Sequence, residues 1–105
     1  MQIAVSRFGL ERLSAEQRLT ELAQSSDPIL RAFAIHQLAI IGTDSLKAVI
    51  LQNMEHPHVL VQESAVWAIA YGVDQKEIRP LLQRQLNSGF ASVRSYAGRL
   101  LEEIG

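Results

Sequence analysis

The sequence predicts an all-α protein, a right-handed α-solenoid of stacked helical hairpins forming a single domain over residues 1–105. Three observations carry this. The first is a pattern written three times. Leu30-Arg31, Ala34, Leu38, Ile41 and Gly42 form one copy. Val61-Gln62, Ala65, Ile69 and Gly72 form the next, with its glycine one residue early, and Val93-Arg94, Ala97, Leu101, Ile104 and Gly105 repeat the spacing of the first. The copies lie 31 and then 32 residues apart, a period typical of stacked helical repeats. The second observation is that apolar residues recur at helical spacing and never alternate at the strand period. The third is composition: 48% hydrophobic residues in 105 suffice for one packed core and argue against disorder.

Taken in order, the elements are an N-terminal helix pair over 2–25, a repeat over 27–55, a repeat over 57–87 and a terminal half repeat over 90–105. The N-terminal pair fits loosely: residues 2–12 match the first-helix pattern badly, and only Ala15, Leu19, Leu22 and Ala23 keep the second-helix stripe. Each later first helix opens after a turn signal: Ser26-Asp27-Pro28, His56-Pro57 or Asn87-Ser88-Gly89. Asp27 is suited to cap its helix, and Pro28 at the first helical position forfeits no needed hydrogen bond. Leu30, Ala34, Leu38 and Ile41 then form the buried stripe, with Gly42 and Gly72 at left-handed C-terminal positions. Thr43-Asp44 and Asp74 are expected to cap the second helices. Their apolar sets are Leu46, Val49, Ile50 and Met54, and then Ile78, Leu81, Leu82 and Leu86. Pro80 is placed near the start of its helix, where a missing amide costs least.

Here the chain resembles the bacterial HEAT-like repeat family. DPILRAFAIHQLAIIG is similar to the family's first helix, with Asp-Pro opening it, an apolar-Arg pair following, and Ala, Leu and Ile-Gly closing it. ASVRSYAGRLLEEIG is similar too, and DQKEIRPLLQRQL resembles the second helix. The middle copy departs, with Val61-Gln62 for apolar-Arg and His56-Pro57 for Asp-Pro. The resemblance implies a solenoid whose second helices line a concave face. It extends from about residue 14 to the end.

Composition narrows the function. A net charge of −1 lacks the basic excess of a nucleic-acid-binding domain. No apolar run approaches the roughly 18 residues that suggest a membrane span. MQIAVSRFGLERL carries charges where a secretory signal would be apolar. Without cysteine there is no disulfide or thiolate metal site, which accords with a cytoplasmic protein. The expected partner is therefore another protein, with no nucleic acid, membrane, metal or cofactor.

Chemistry is sparse. His56 and His58 flank Pro57 beside Glu55; a metal site there lacks further ligands, and the pair is read as part of a turn between helices. His36 is placed opposite Ala34 and Leu38, exposed, with no recognisable nucleophile partner. Glu102 and Glu103 are adjacent on a helix and point apart. The resemblance also raises enzymatic relatives. Deoxyhypusine hydroxylases place His-Glu pairs early in their first helices, where this chain has Ala32-Phe33, Glu63-Ser64 and Ser95-Tyr96. HEAT-like DNA glycosylases need a longer, basic array. HEAT-like phycobilin lyases have similar repeats, and a subunit or fragment related to them, or to another enzyme-associated regulator, is the alternative to a binding module.

The preferred reading is a protein–protein interaction or scaffold module without catalysis of its own. Its face would be the side of the second helices opposite their apolar stripes: Gln17, Thr20, Glu21 and Gln24; then Ala48, Leu51, Gln52 and Glu55; then Pro80, Gln83, Arg84 and Asn87, with Lys76 beside them. The residues expected to bind an extended segment of a partner are Gln52, Glu55, Lys76, Gln83, Arg84 and Asn87. Trp67 aligns with His36 and Arg99 on an outward face, either as a partner anchor or as lateral packing. Phe33, Tyr71 and Tyr96 are assigned to helix packing, and Arg31 and Arg94 to a ladder with neighbouring carboxylates. Leu100, Leu101 and Ile104 would leave the terminal helix apolar and able to self-associate, or the chain is a slice of a longer array; the alternative is a helix with a polar outer face through Arg99, Glu102 and Glu103.

Overall fold

A computed structural model of the chain describes residues 14–105. Among these there are six α-helices and no strand: α1 over 14–22, α2 Pro28–Ile41, α3 Leu46–Asn53, α4 Val59–Gly72, α5 Gln75–Gln85 and α6 Ala91–Glu103. Residues 2–12 of the expected N-terminal pair lie outside the described residues.

Local chemistry sets most boundaries. Asp27 caps α2, its Oδ1 accepting from the amides of Ile29 at 2.9 Å and Leu30 at 3.5 Å, with Pro28 following. Gly42 closes α2 in the left-handed region at φ 76°, where a side chain would be strained. Other expectations need correction. Asp74 stands at the N-cap of α5 but makes no side-chain cap bond, and Ser45 rather than Thr43 or Asp44 precedes α3. Pro80 sits in the interior of α5, not at its start, and so deletes one amide donor from that helix.

The core runs through all the described helices. The predicted set Leu46, Val49, Ile50 and Met54 is buried throughout. In the following repeat Leu82 is buried, Ile78 and Leu81 are half-buried and Leu86 is exposed, so that set is only partly inside. Among the first-helix residues Ala34, Leu38, Val61, Ala65, Ile69, Val93 and Ala97 are buried, but Leu30 is exposed. Helix α4 is central, packing on α2, α3, α5 and α6. It is accordingly apolar nearly all round, with Val61, Ala65, Val66, Ala68 and Ile69 buried together with Gln62 and Ser64. Each large aliphatic side chain buried there stabilises the fold by roughly 1.5–3 kcal/mol.

Gly72 departs from its expected role. It ends α4 without a positive φ, and the left-handed reading applies to Gly42 alone of the two. Its lack of a side chain serves packing: a Cβ there would lie 2.6 Å from Cδ1 of Ile50 and 2.7 Å from Cγ of Leu46. Helix α3 can close on α4 because nothing projects between them.

The turns between repeats share a hydrogen-bonded clasp. Its first half joins a side chain to the amide two residues on. The amide of Asp27 donates to Ser25 Oγ at 3.0 Å, that of His58 to His56 Nδ1 at 3.0 Å, and that of Phe90 to Ser88 Oγ at 3.1 Å. Its second half reaches back from the next helix. Arg31 Nη1 donates to the Ser25 carbonyl at 3.2 Å, Gln62 Nε2 to that of His56 at 2.8 Å, and Arg94 Nη1 to that of Ser88 at 2.7 Å. Arg31 and Arg94 thus ladder onto turn carbonyls, not onto carboxylates, and Gln62 performs the same task. Neighbouring turns are joined as well. Arg31 Nε donates to buried Asn53 Oδ1 at 2.6 Å, Gln85 Nε2 to the Met54 carbonyl at 2.9 Å, and Ser88 Oγ to Gln62 Oε1 at 2.6 Å.

Gly72→Ala is expected to destabilise the chain by about 1–3 kcal/mol through overpacking, whereas Gly89→Ala, with open space around its Cβ, stays within about 0.5 kcal/mol. Urea denaturation followed by circular dichroism checks the contrast, and equal effects would contradict the packing role.

Candidate functional site

The sequence-predicted row of polar residues is exposed along one side of the fold. Gln17, Glu21 and Gln24 on and after α1, Ala48, Leu51, Gln52 and Glu55 on and after α3, and Pro80, Gln83, Arg84 and Asn87 on and after α5 are all exposed, with Thr20 half-buried. Three depressions mark this side. Glu16, Gln17, Thr20, Glu21 and Ser45 line one between α1 and α3. Lys47, Leu51, Lys76, Glu77, Pro80 and Leu81 line a second, of about 540 Å³, between α3 and α5. Glu55, Arg84 and Asn87 meet in a third, beside the clasp residues Gln62, Gln85 and Ser88.

Charge on this side is organised by pairs one repeat apart. Lys47 Nζ lies 2.9 Å from Glu77 Oε1, and Arg84 Nη2 lies 2.8 Å from Glu55 Oε1. The hydrogen bond from Lys47 holds the Glu77 carboxyl below its ordinary range, against a smaller opposing effect of burial. Ser45 donates to Glu16 at 3.3 Å in the same manner. The separations in sequence are 29 or 30 residues. Glu55 and Arg84, predicted as independent binding residues, are thus committed to each other, while the side chains of Gln52, Lys76, Gln83 and Asn87 make no hydrogen bond or ion pair shown in the structure. Lys47, Glu77 and Leu81 were missed as lining residues. Opposite charges at near-repeat spacing were the signal that could have found them.

Trp67 belongs elsewhere. It is half-buried and stacks on His36 with ring centroids 4.2 Å apart, and Tyr71 lies 4.9 Å beyond. The lateral-packing reading holds, and the outward placement of both His36 and Trp67 is corrected. His36 Nε2 is also 3.1 Å from Ser64 Oγ, a pairing the sequence did not reveal. Ser64 is buried beneath α2, so its hydroxyl is out of reach of a substrate and the pair is structural. Tyr96 is half-buried as expected of helix packing, but Phe33 and Tyr71 are largely exposed.

Trp67, Tyr71, Tyr96, Leu100 and Ile104 line an apolar cavity of about 240 Å³ between α4, α5 and α6. Its origin is steric. The corresponding residues one repeat earlier are Ser64, Ala68 and Gly72, and there the helices close; with Tyr96, Leu100 and Ile104 in those places the gap stays open. Leu100 and Leu101 are half-buried, and Ile104 alone of the three predicted apolar residues is exposed.

The remaining histidines serve the turn. His56 Nδ1 accepts the amide of His58, and His58 Nδ1 accepts that of Leu60 at 3.1 Å, capping α4. Among the described residues no group of three or more His, Cys, Asp or Glu is placed to hold a metal ion, and no helix is long and apolar enough to cross a membrane. Comparison of the chain with protein-family models, with curated proteins and with solved structures finds no match.

Burial, with the charges of Arg31 and His58 adding to it, holds the His56 pKa below its usual 6.5; burial does the same to His36. Both rings take a proton more readily in the unfolded chain. Stability is therefore full above about pH 6.5 and falls as pH drops through that value toward the lower folded ones. The melting temperature should be lower at pH 5 than at pH 7.5. His56→Ser, which copies Ser25 and Ser88, should reduce that slope and leave stability at pH 7.5 within about 0.5 kcal/mol. An unchanged slope in thermal melts would sink the assignment.

Proposed function

We propose that the chain is a cytoplasmic HEAT-like solenoid serving as a protein–protein interaction module, without catalysis of its own, which takes an extended segment of a partner along the α1–α3–α5 face. One observation carries the reading. Three helices, α1, α3 and α5, expose a mostly polar row, and the α1–α3 and α3–α5 depressions along it lie one repeat apart. An extended peptide brings backbone donors and acceptors at a regular interval, and rows of Gln and Asn amides answer both. The α3–α5 depression adds an apolar floor from Leu51, Pro80 and Leu81, with Lys76 and the Lys47–Glu77 pair at its rim. That composition suits a segment with an apolar side chain beside an acidic one that meets Lys76. The stacked-repeat reading is supported by the packing of α2 on α4 and of α4 on α6, and by the clasp recurring at each turn.

The test is affinity capture from native lysate with wild-type chain and a Gln52→Ala/Lys76→Glu/Gln83→Ala variant as bait. These positions spare the Glu55–Arg84 pair, and exposed changes of this kind cost about 0.5 kcal/mol or less each. A protein captured by wild type should be reduced at least tenfold with the variant. Capture unaffected by the variant would place binding off this face.

A further inference from the structure

The cavity between α4, α5 and α6 reaches the core. Val66, Ile69 and Leu82, none more than 2% exposed, form its floor. Half-buried Ile78 and Leu100 continue its sides, and exposed Ala70, Tyr71 and Ile104 mark its mouth. The cavity lies between one repeat and the next, and both supply its walls.

Its lining defines what fits. No lining residue is charged, so a charged guest would lose its hydration with no counter-charge in return. The volume of about 240 Å³ exceeds the roughly 150 Å³ at which an apolar protein cavity takes up benzene and falls short of the about 300 Å³ at which drug-sized pockets begin. One ring, or two fused rings, match that space. Trp67, Tyr71 and Tyr96 supply an aromatic wall. Trp67 is held in place by its stack on His36 at 4.2 Å, with Tyr71 tilted 39° beside it, so ring faces and edges are set for a further ring. The indole N–H of Trp67 and the hydroxyls of Tyr71 and Tyr96 make no hydrogen bond shown in the structure, which leaves them for a polar substituent. A cation is disfavoured on a further count. The guanidinium of Arg99 lies 5.5 Å from the centre of the Tyr96 ring and already answers its π-face.

We propose that this cavity is a binding site for a small neutral aromatic molecule of one or two rings. The ring system rests on Val66, Ile69 and Leu82 against Trp67, and a hydroxyl or ring N–H faces Tyr71 and Tyr96 at the mouth. Such a guest supplies the contacts that an open gap forfeits. The site belongs to one junction only, because Ser64, Ala68 and Gly72 close the preceding one where Tyr96, Leu100 and Ile104 stand here. It shares no lining residue with the depressions of the α1–α3–α5 face, so peptide capture and aromatic binding fail independently.

Methyl and amide NMR of the full chain, titrated with indole to about 5 mM, tests it; a ligand of this size in such a site binds with a dissociation constant on the order of 1 mM or tighter. The methyl signals of Val66, Ile69, Leu82 and Leu100 should shift saturably, together with the side-chain N–H of Trp67, the single tryptophan of the chain. Those of Leu51 and Leu81 on the α3–α5 depression should stay in place. Phenol should bind about two- to tenfold more tightly than cyclohexanol, its saturated counterpart. Tetramethylammonium and benzoate should give no saturable shift. Ala70→Phe, which sets a ring across the mouth from an exposed position, should keep the helical circular dichroism and weaken indole binding at least tenfold. The wild-type titrations decide by themselves where that variant unfolds. Four results overturn the proposal: no saturable shift with indole or phenol, shifts centred outside the cavity, binding indifferent to a folded Ala70→Phe, or cyclohexanol or either ion binding as tightly as phenol.

Discussion

The clasp at the repeat turns is the constraint on which the rest of the fold depends. Each turn must reverse the chain between a second helix and the next first helix, and the helix end leaves carbonyls without partners. At residues 25, 56 and 88 the answer is the same: a side chain accepts the amide two residues on, and the carbonyl accepts a side-chain donor six residues on. Each bond contributes about 0.5–1.5 kcal/mol, but losing a buried partner costs more than that. Buried Asn53, Gln62 and Gln85 extend these bonds from one turn to the next, so the angle between repeats is set by directional contacts as well as by the apolar core.

Within that frame, packing is adjusted by side-chain volume at fixed register. Gly72, Ala68 and Ser64 let one interface close, and Ile104, Leu100 and Tyr96 hold the next one open around a cavity. Volume at these positions on the first helices thus sets the fit of each helix against its neighbour.

Charge plays a smaller part. The Lys47–Glu77 and Arg84–Glu55 pairs are solvent-exposed, and such pairs contribute at most about 1 kcal/mol. Their consequence lies in what they leave over. By occupying each other they leave Gln52, Lys76, Gln83 and Asn87 as the expected binding residues of α3 and α5 whose side chains have no hydrogen bond or ion pair shown. The polar row was legible because its residues lie opposite the apolar stripes on helices of known period. The pairing of Glu55 with Arg84 was not, since it joins two helices.

The sequence by itself determined that the described residues are helical, roughly where their helices lie, which apolar residues of α3 are buried and where Asp27, Pro28 and Gly42 act. These follow from periodicity and from backbone chemistry, which are local. Tertiary structure decided what depends on neighbours. His56 was expected in a turn between helices, and only the folded turn shows its ring accepting the amide of His58. Gly72 looked like a left-handed cap and is a point of close approach. Leu30 belonged to the apolar stripe and is exposed because no helix among the described residues covers it. Trp67 aligned with outward positions and is held against His36. In each case the residue type is compatible with two environments, and only the helix packed beside it selects one.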